Sequence, residues 1–447
     1  MNLPAGLSHA PTLAQQAAAV ALNPADTAWL MMSTALVLLM TAALGFFYGG
    51  LVRGKNALNT LMMSFASLGV VGVCWALLGY SLAFAPGNAL VGGLAYTGLR
   101  GVGLEGGAWG GTPHLLYMAY QGTFAIITAA LISGAVVERM RFGPYLAFIA
   151  AWSLLVYSPV AHWVWGKGWL GGLGALDFAG GTVVHVNAGA AAVVAALVVG
   201  QRKDYGRQAF LPHDATYVLL GAGLLWFGWF GFNAGSALAA NATAALAFVN
   251  TLLAPAAAMV AWMALDALRV RKITAVGGAT GIVVGLVAIT PAAGFVGPGA
   301  AMALGALCTI PSYFAIAWRS RTRLDDSLDV FSAHGLGGIM GALLTGVFAS
   351  AAWGGTDGLL HGYAALLGKQ ALAVLASAAY SAAATFVILK AIALVAPLRQ
   401  TERGEGVGLD VVQHGEEAYA HGEGALLVAT EPLWPQVERR KKPREAA

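Results

Sequence analysis

Two aspartate–histidine pairs are the residues of this sequence whose types and spacing best suit chemistry. Asp177 is followed eight residues later by His185, and Asp326 is followed eight residues later by His334. Each histidine is followed four residues on by a glycine, and each pair opens a long apolar run. Along a helix that rises ~1.5 Å per residue, each histidine lies about 12 Å beyond its aspartate. Because a hydrocarbon core is about 30 Å thick, both histidines are predicted near the middle of a membrane.

Three roles are open to His185 and His334: a structural core role, ligation of haem or another metal, or the lining of a pore. An ionisable residue inside a membrane is costly and usually faces protein or a water-filled path. No further His, Cys or carboxylate accompanies the two at a useful depth, which disfavours a metal or cofactor. Burial favours the uncharged imidazole, which offers one donor and one acceptor. The pattern therefore favours neutral, hydrogen-bonding pore residues.

Asp177 has two compatible roles at the start of its apolar run. It suits the N-cap of a helix, and it suits a fixed negative charge at a pore mouth. The segment before it carries Trp163, Trp165 and Trp169. Tryptophans at a membrane interface are usually anchors, but a tryptophan face beside an acid also binds a small cation.

The composition is that of an all-α polytopic membrane protein. Of the 447 residues, 58% are hydrophobic and only 10% are charged, against about 25% charged in a soluble domain. The apolar segments are long and unbroken rather than alternating, which excludes a β-barrel. Cys74 and Cys308 lie inside apolar runs, where no disulfide is expected. The net charge of +4 gives no indication of nucleic-acid binding.

Eleven spanning helices are predicted, at about 27–47, 59–80, 114–136, 145–165, 179–200, 215–234, 243–267, 274–291, 299–318, 331–351 and 371–396. The chain is accordingly divided into an extracytoplasmic segment (1–26), a membrane domain (27–396) and a cytoplasmic tail (397–447). The N-terminal residues carry no Lys or Arg and make a poor signal peptide, although Ala-Val-Ala at 19–21 resembles a cleavage site.

Basic residues predict the orientation of the helices. Most of the 24 Lys and Arg residues lie in the loops after the first, third, fifth, seventh and ninth helices or in the tail. By the positive-inside rule these loops and the tail are cytoplasmic and the N-terminus is outside. A multi-pass protein of the plasma (inner) membrane is expected.

The two aspartate–histidine pairs lie in inverted halves of the chain. An odd number of helices, five, separates the copies, so repeat one (about 27–200) and repeat two (about 215–351) have opposite orientations. Inverted repeats are a common transporter construction, with the site near the midplane. His185 and His334 should therefore meet near the bilayer centre, with the eleventh helix (about 371–396) bracing the pair.

The run from Asp177 to Gly189 resembles the signature of the ammonium transporter family, the Amt branch of the Amt/Rh/Mep proteins, in its bacterial form. The resemblance covers about residues 27–420. It implies a homotrimer with one pore per subunit, each of eleven helices in two inverted halves. The other matching stretches are Gly45–Lys55, Trp229–Ser236, Ala245–Thr251 and Gly408–Val412.

Site roles follow from this resemblance residue by residue. It implies an outer recruitment site, with an acid behind it as support, a phenylalanine gate and a pore with paired histidines. Tyr120 departs from the pattern, since phenylalanine is common there. The implied residues are Trp165, Tyr120, Phe124 and Ser236 for recruitment, Asp177 for support, Phe124 and Phe232 for the gate, and His185 and His334 for the pore.

The implied activity is transport rather than enzyme catalysis. Ammonium or methylammonium would be recruited outside and deprotonated, and ammonia would pass the pore with or without a separate proton. A bare charge in such a path costs at least several kcal/mol, and potassium cannot shed a proton.

The alternatives are an Rh-like ammonia or carbon dioxide channel, an ammonium sensor, and a haem or metal enzyme. Trp165 and Ser236 disfavour the first, and the tail is too short for a kinase or cyclase domain.

A cytoplasmic partner is also implied by the resemblance, namely a trimeric PII-type signal protein that plugs the inner exit. The polar, Gly-rich segment 404–419 is too short to fold alone, and we expect it to dock against the cytoplasmic loops. Residues 421–447, with a basic cluster at 439–442, are expected to be disordered. The charged residues expected at the inner mouth are Arg319, Arg321, Arg323, Asp325, Asp326 and Asp329.

Overall fold

Eleven apolar helices form the framework of the chain in the computed structural model, which describes residues 21–107 and 109–419. Ten of them are long and apolar enough to cross a membrane, and the eighth is a shorter apolar helix of 15 residues. The all-α membrane fold class is thus confirmed. In chain order the helices are α1 Pro24–Leu51, α2 Gly54–Phe84, α3 His114–Ser133, α4 Phe142–Leu173, α5 Gly181–Val199, α6 Ala215–Ala237, α7 Ala242–Arg269, α8 Ala275–Ile289, α9 Pro298–Arg319, α10 Phe331–Phe348 and α11 Ala365–Ala393.

Shorter elements lie in the loops and the tail. A two-stranded antiparallel hairpin, β1 Gly106–Gly107 and β2 Gly110–Pro113, lies between α2 and α3. Two tail helices, α12 Glu402–Val407 and α13 Leu409–His414, follow α11. The tail lies on what we call the inner side of the molecule, and the opposite face is the outer side. The expectations for residues 19–21 and 421–447 lie outside the described residues, apart from position 21.

Side-chain caps begin several of the long helices. The Asn23 side chain accepts hydrogen bonds from two backbone N–H groups at the start of α1, and Asp214 does the same for α6. Thr274 Oγ1 accepts from the backbone N–H of Gly277 at 3.0 Å and caps α8. These caps satisfy donors that a helix cannot satisfy itself, so each helix begins at a defined residue.

The first helices of the two halves, α1 and α6, pack along each other through small residues. A Cβ atom added to Gly221 would lie 2.4 Å from the backbone nitrogen of Phe47, and one added to Gly228 would lie 2.3 Å from Met40 Cγ. Glycine is therefore required at both positions for the helices to approach this closely, as is common in membrane bundles.

The fifth helices of the two halves, α5 and α10, cross at a still closer contact. A Cβ atom on Gly189 would lie 2.2 Å from Gly335 Cα, and one on Gly338 would lie 2.9 Å from His185 Cβ. These are the two glycines that follow the histidines by four residues. Both helices open with a π-helical segment that contains the histidine, Gly181–Val186 and Phe331–Gly335.

Helix α11 packs against α5 and α10 from one side. The Ser381 hydroxyl donates to the carbonyl of Asn187 in α5 at 2.7 Å. Gln370 Nε2 donates to the carbonyl of Ala342 in α10 at 3.0 Å. The eleventh helix therefore ties the crossing pair together.

A buried network of charges joins four loops on the inner side. Arg202 contacts Glu138 at 2.8 Å and Asp325 at 2.9 Å, and Arg53 contacts Glu138 at 2.9 Å. The fully buried Arg139 donates to the backbone carbonyl of Asp325 at 2.6 Å. Burial disfavours the charge on Glu138, but Arg202 and Arg53 outweigh burial and lower the pKa of Glu138 to about 2. The network links the loops of the first half to the loop before α10.

The tail docks on these same loops through α12 and α13. Asp410 accepts hydrogen bonds from the backbone N–H groups of Leu58 and Asn59, at 3.0 and 2.7 Å. Glu405 accepts from the backbone N–H of Lys203 at 2.9 Å. The tail segment is therefore held by directional bonds to the start of α2 and to the loop after α5.

Candidate functional site

The outer end of the site is a group of aromatic and hydroxyl side chains from α3, α4 and α6. The Tyr120 hydroxyl lies 3.1 Å from Ser236 Oγ and within bonding distance of the carbonyls of Gly231 and Phe232. Ser236 Oγ donates to the Phe232 carbonyl at 2.8 Å. Since its proton is used in this way, the partly exposed Ser236 oxygen retains lone pairs for an incoming N–H donor.

Trp165 completes this outer group and connects it to Asp177. Its ring N–H donates to the backbone carbonyl of Asp177 at 2.9 Å, which fixes the ring. Trp163 and Trp169 lie against each other instead, with centroids 5.9 Å apart, and Trp163 donates to the Leu90 carbonyl. Of the three tryptophans in this segment, only Trp165 joins the site.

Two phenylalanine rings lie between the Trp165 ring of the outer group and His185. Phe124 and Phe232 are stacked with centroids 4.2 Å apart and an interplanar angle of 27°, and each is 1% exposed. The Trp165 ring stands perpendicular to Phe124 at 6.0 Å. The stacked rings separate the outer group from the interior.

The Asp177 carboxylate is buried and directed at the start of α5 rather than at the outer opening. One oxygen accepts from the N–H groups of Gly180 and Gly181, at 2.8 and 2.6 Å. The other accepts from Thr182 and Val183, at 2.9 and 3.0 Å. Burial raises the pKa of Asp177, while these four donors oppose the rise. The carboxylate therefore stabilises the helix that carries His185.

The two histidines contact each other below the phenylalanines. Nδ1 of His185 and Nδ1 of His334 are 3.3 Å apart, and the rings are stacked at 5.3 Å between centroids. Both rings are buried, at 1% and 3% exposure. The inverted halves thus bring together the two residues that their equal spacing from Asp177 and Asp326 singled out.

The contact between the two Nδ1 atoms requires one histidine of the neutral pair to be the hydrogen-bond donor and the other to be the acceptor. One Nδ1 must carry the proton and the other must accept it. The donor ring then presents Nε2 as an acceptor, and the partner presents Nε2–H as a donor. Among the described residues, Nε2 of His185 has no hydrogen-bond partner. The pair therefore offers hydrogen-bonding groups to the path without a fixed charge.

A narrow apolar cavity holds this pair. It leaves about 10 Å³ for the centre of a water-sized molecule, close to the minimum for one occupant. Trp229 lines it and stacks on His185 at 5.5 Å and 16°. No role for Trp229 was predicted from the sequence. It lies three residues before Phe232 on the same helix face, and that spacing is the signal that could have identified it.

A much larger cavity, of about 920 Å³, lies on the inner side and is called the inner cavity below. Phe47, Val283 and His334 line both cavities, so the inner cavity begins where the histidine pair ends. Its charged lining residues are Arg202, Asp266, Arg269, Arg319 and Asp329.

Two of the acids expected at the inner mouth are buried instead. Asp325 is 1% exposed and bonded to Arg202. Asp326 is fully buried and accepts from the backbone N–H groups of Val330 and Phe331 at the start of α10. It thus repeats in the second half the helix-capping role of Asp177. Within residues 21–107 and 109–419, no group of three or more His, Cys, Asp or Glu residues could hold a metal ion.

Known proteins resemble this chain in sequence and fold. A model of the Ammonium Transporter Family matches residues 28–419. The chain is similar to an ammonium transporter of Bacillus subtilis (strain 168), with 48% identity over 398 residues that cover 88% of this chain and 98% of the relative. It is similar to the crystal structure of Saccharomyces cerevisiae Mep2, with 36% identity, a TM-score of 0.83 and coverage of 91% and 93%. It is also similar to a solved sensor Amt protein, with 29% identity, a TM-score of 0.81 and coverage of 87% and 98%. The chain therefore belongs to the ammonium transporter family, a transport family and not a family of enzymes.

Proposed function

We propose that this chain recruits ammonium or methylammonium at its outer side, removes a proton and conducts ammonia past the histidine pair. The observation that carries the proposal is the sequence of environments along one path. A hydroxyl-bearing aromatic group lies above two stacked phenylalanines, and two neutral histidines in contact lie below them.

Recruitment rests on the outer group of Trp165, Tyr120, Phe124 and Ser236. An ammonium ion can donate to Ser236 Oγ, whose own proton is used on the Phe232 carbonyl. The Trp165 face adds a cation–π contact of about 0.5–2 kcal/mol. Asp177 supports this site from behind, through the carbonyl that holds the Trp165 ring.

Deprotonation follows from the path below the outer group. Phe124 and Phe232 close it, and the cavity beneath has apolar walls apart from the histidines. A charge in such surroundings costs at least several kcal/mol, and releasing the proton, either to water at the outer side or separately along the histidine pair, removes most of that cost. Potassium has no proton to lose, so it is excluded.

Solid-supported-membrane electrophysiology on proteoliposomes tests the proposal. Ammonium and methylammonium pulses should each give currents, or a matched pH change if ammonia moves alone, and potassium pulses should give neither. Equal responses to potassium and ammonium would contradict it, and so would the absence of any response to ammonium.

Assembly and orientation are part of the same proposal. The chain forms a homotrimer in the plasma membrane, with its N-terminus outside and its tail in the cytoplasm, where a PII-type protein binds the inner openings. The distribution of basic residues supports the orientation. Native mass spectrometry of the purified protein should find three copies, and a monomer would contradict the trimer.

A further inference from the structure

One corner of the inner cavity carries a carboxylate beside aromatic rings. Asp266 lies in the last turn of α7 and is 5% exposed. Its Oδ2 accepts from the Thr274 hydroxyl at 2.8 Å and from the Thr274 backbone N–H at 3.2 Å. Both bonds reach the same oxygen, so Oδ1, with two lone pairs, can accept from two further donors.

Two aromatic side chains form the walls of this corner. Trp262 lies one helical turn before Asp266, and Tyr313 reaches it from α9. Their rings are 5.1 Å apart at 65°, with exposures of 5% and 9%, and the Tyr313 hydroxyl interacts with the Asp266 carboxylate. Asp266, Trp262, Tyr313 and Thr274 all line the cavity that begins at His334.

The charges of the inner cavity leave Asp266 without a cationic partner. Arg319 pairs with Asp329, and Arg202 pairs with the buried acids of the loop network. Across the described ranges, Asp266 makes no ion pair. Arg269, three residues on, instead places its guanidinium 4.7 Å from the centroid of the Phe314 ring and 5.8 Å from that of the Tyr313 ring.

We infer that Asp266, Trp262, Tyr313 and Thr274 form a second binding site for small ammonium ions, on the inner side of the pore. An ammonium or methylammonium ion there can donate to Asp266 Oδ1 and lie against the Trp262 face. The inference deepens the proposed function and rests on it. The two sites differ in kind. The Asp177 oxygens are used by backbone donors, whereas Asp266 offers its charge directly.

Removing the charge of Asp266 should weaken the binding of methylammonium at the inner face only. In Asp266→Asn, the remaining carbonyl oxygen still accepts from Thr274, so the turn before α8 is kept. The charge that attracts the cation is lost. Half-saturation for methylammonium offered at the inner face should rise roughly tenfold, as expected for one charge-assisted contact. Half-saturation at the outer face should stay within about twofold, since that site is on the far side of the histidine pair.

Membrane vesicles of both orientations supply the test. Labelled methylammonium uptake is measured in inside-out and right-side-out vesicles that carry wild type, Asp266→Asn or Trp262→Leu. Trp262→Leu should shift the inner-face value in the same direction, and it carries the test if Asp266→Asn fails to fold. Asp214→Asn is the matched control, because Asp214 also caps a helix on the inner side but does not line the cavity.

The outcomes separate this inference from the proposed function. An inner-face value unchanged in both cavity variants, or an equal shift at both faces, would overturn the second site while leaving transport intact. Wild-type vesicles that take up no methylammonium in either orientation would instead overturn the proposed function.

Discussion

At the scale of single residues, the two acids of the aspartate–histidine pairs act through the backbone. Asp177 binds four N–H groups at the start of α5, and Asp326 binds two at the start of α10. The helix that each one starts carries one histidine of the pair. The position of the histidines therefore depends on carboxylates that contact neither ring.

Replacing Asp177 tests this dependence. Asp177→Ala removes all four hydrogen bonds and should abolish transport. Asp177→Asn keeps one acceptor oxygen but directs an amide at the remaining N–H groups, so only partial activity should remain. Ammonium-driven currents in proteoliposomes measure both. Full activity in both variants would exclude a role for the carboxylate, and equal loss in both would favour charge over capping.

An acid in place of either histidine should relax the selectivity of the pore. In His185→Glu or His334→Glu, a carboxylate replaces an uncharged ring and stabilises a bare cation in the apolar cavity that holds the pair. Potassium currents should rise at least roughly tenfold, the change that ~1.4 kcal/mol produces. His185→Gln and His334→Gln are the uncharged controls. The interpretation fails if both acidic variants stay active and still exclude potassium.

At the scale of helices, the contact of α5 with α10 sets the distance between the histidines. A Cβ atom added to either glycine at the crossing would lie closer than van der Waals contact to backbone or Cβ atoms of the other half. A wider crossing would separate the two Nδ1 atoms, which are 3.3 Å apart. The glycine four residues after each histidine is thus part of the site.

Gly338→Ala tests this crossing. The new Cβ would lie 2.8 Å from the Gly181 carbonyl oxygen, so the helices must separate. We expect a loss of about 1–3 kcal/mol of stability, as for other overpacked cores, together with a strong loss of transport. Thermal unfolding in detergent and proteoliposome currents measure the two. Gly172→Ala is the control, because its Cβ would meet nothing within 4 Å. Equal behaviour of the two variants would refute the crossing as a constraint.

The sequence predicted the apolar helices and the meeting of the two histidines well, and the other contacts between helices poorly. The equal Asp-to-His spacing placed His185 and His334 at one depth, and the family resemblance is confirmed over almost the same residues. Spacing does not show which side chains meet across helices. The stacking of Trp229 on His185, the burial of Asp325 and the grouping of Asp266 with Tyr313 depend on the packing of separate helices. No local period in the chain encodes these contacts.

At the scale of the whole molecule, the inner side is held together by charge and the outer side by aromatic packing. The Glu138–Arg202–Asp325 network joins loops of both halves, and the tail helices dock on the same loops. Movement of the tail is therefore coupled to the rim of the inner cavity, which Arg202 lines.

Glu138→Gln should reveal the network in the pH dependence of stability. The pKa of Glu138 is lowered to about 2 in the folded protein, so its stabilising charge is fully present above about pH 4.5 and is lost as the pH falls towards 2. The variant should be less stable than wild type by about 3–5 kcal/mol at pH 7. Thermal unfolding should show this gap at pH 7 and 5 and a smaller one at pH 3. The exposed Glu402→Gln is the control, and a gap that does not change with pH would contradict the charge network.

Two truncations test the tail. Ending the chain after Gln400 removes the Asp410 and Glu405 contacts with the loops, so transport should fall or the subunits of the proposed trimer should become uncoupled. Ending it after Ala420 keeps these contacts and should change little. Transport is measured for both with and without a PII-type protein. If both truncations behave like the full chain, docking of the tail has no functional role.

The size of the cavity below Phe124 and Phe232 limits the flux through the pore. It admits about one small molecule at a time, so each occupant must leave before the next enters. Molecules that move inward and molecules that move outward then compete for one binding position, and water competes for it as well. The transport rate is therefore set by how long each molecule occupies the cavity rather than by the diameter of the path. The flux should therefore level off as concentration rises, as an enzyme's rate does, although nothing is chemically converted.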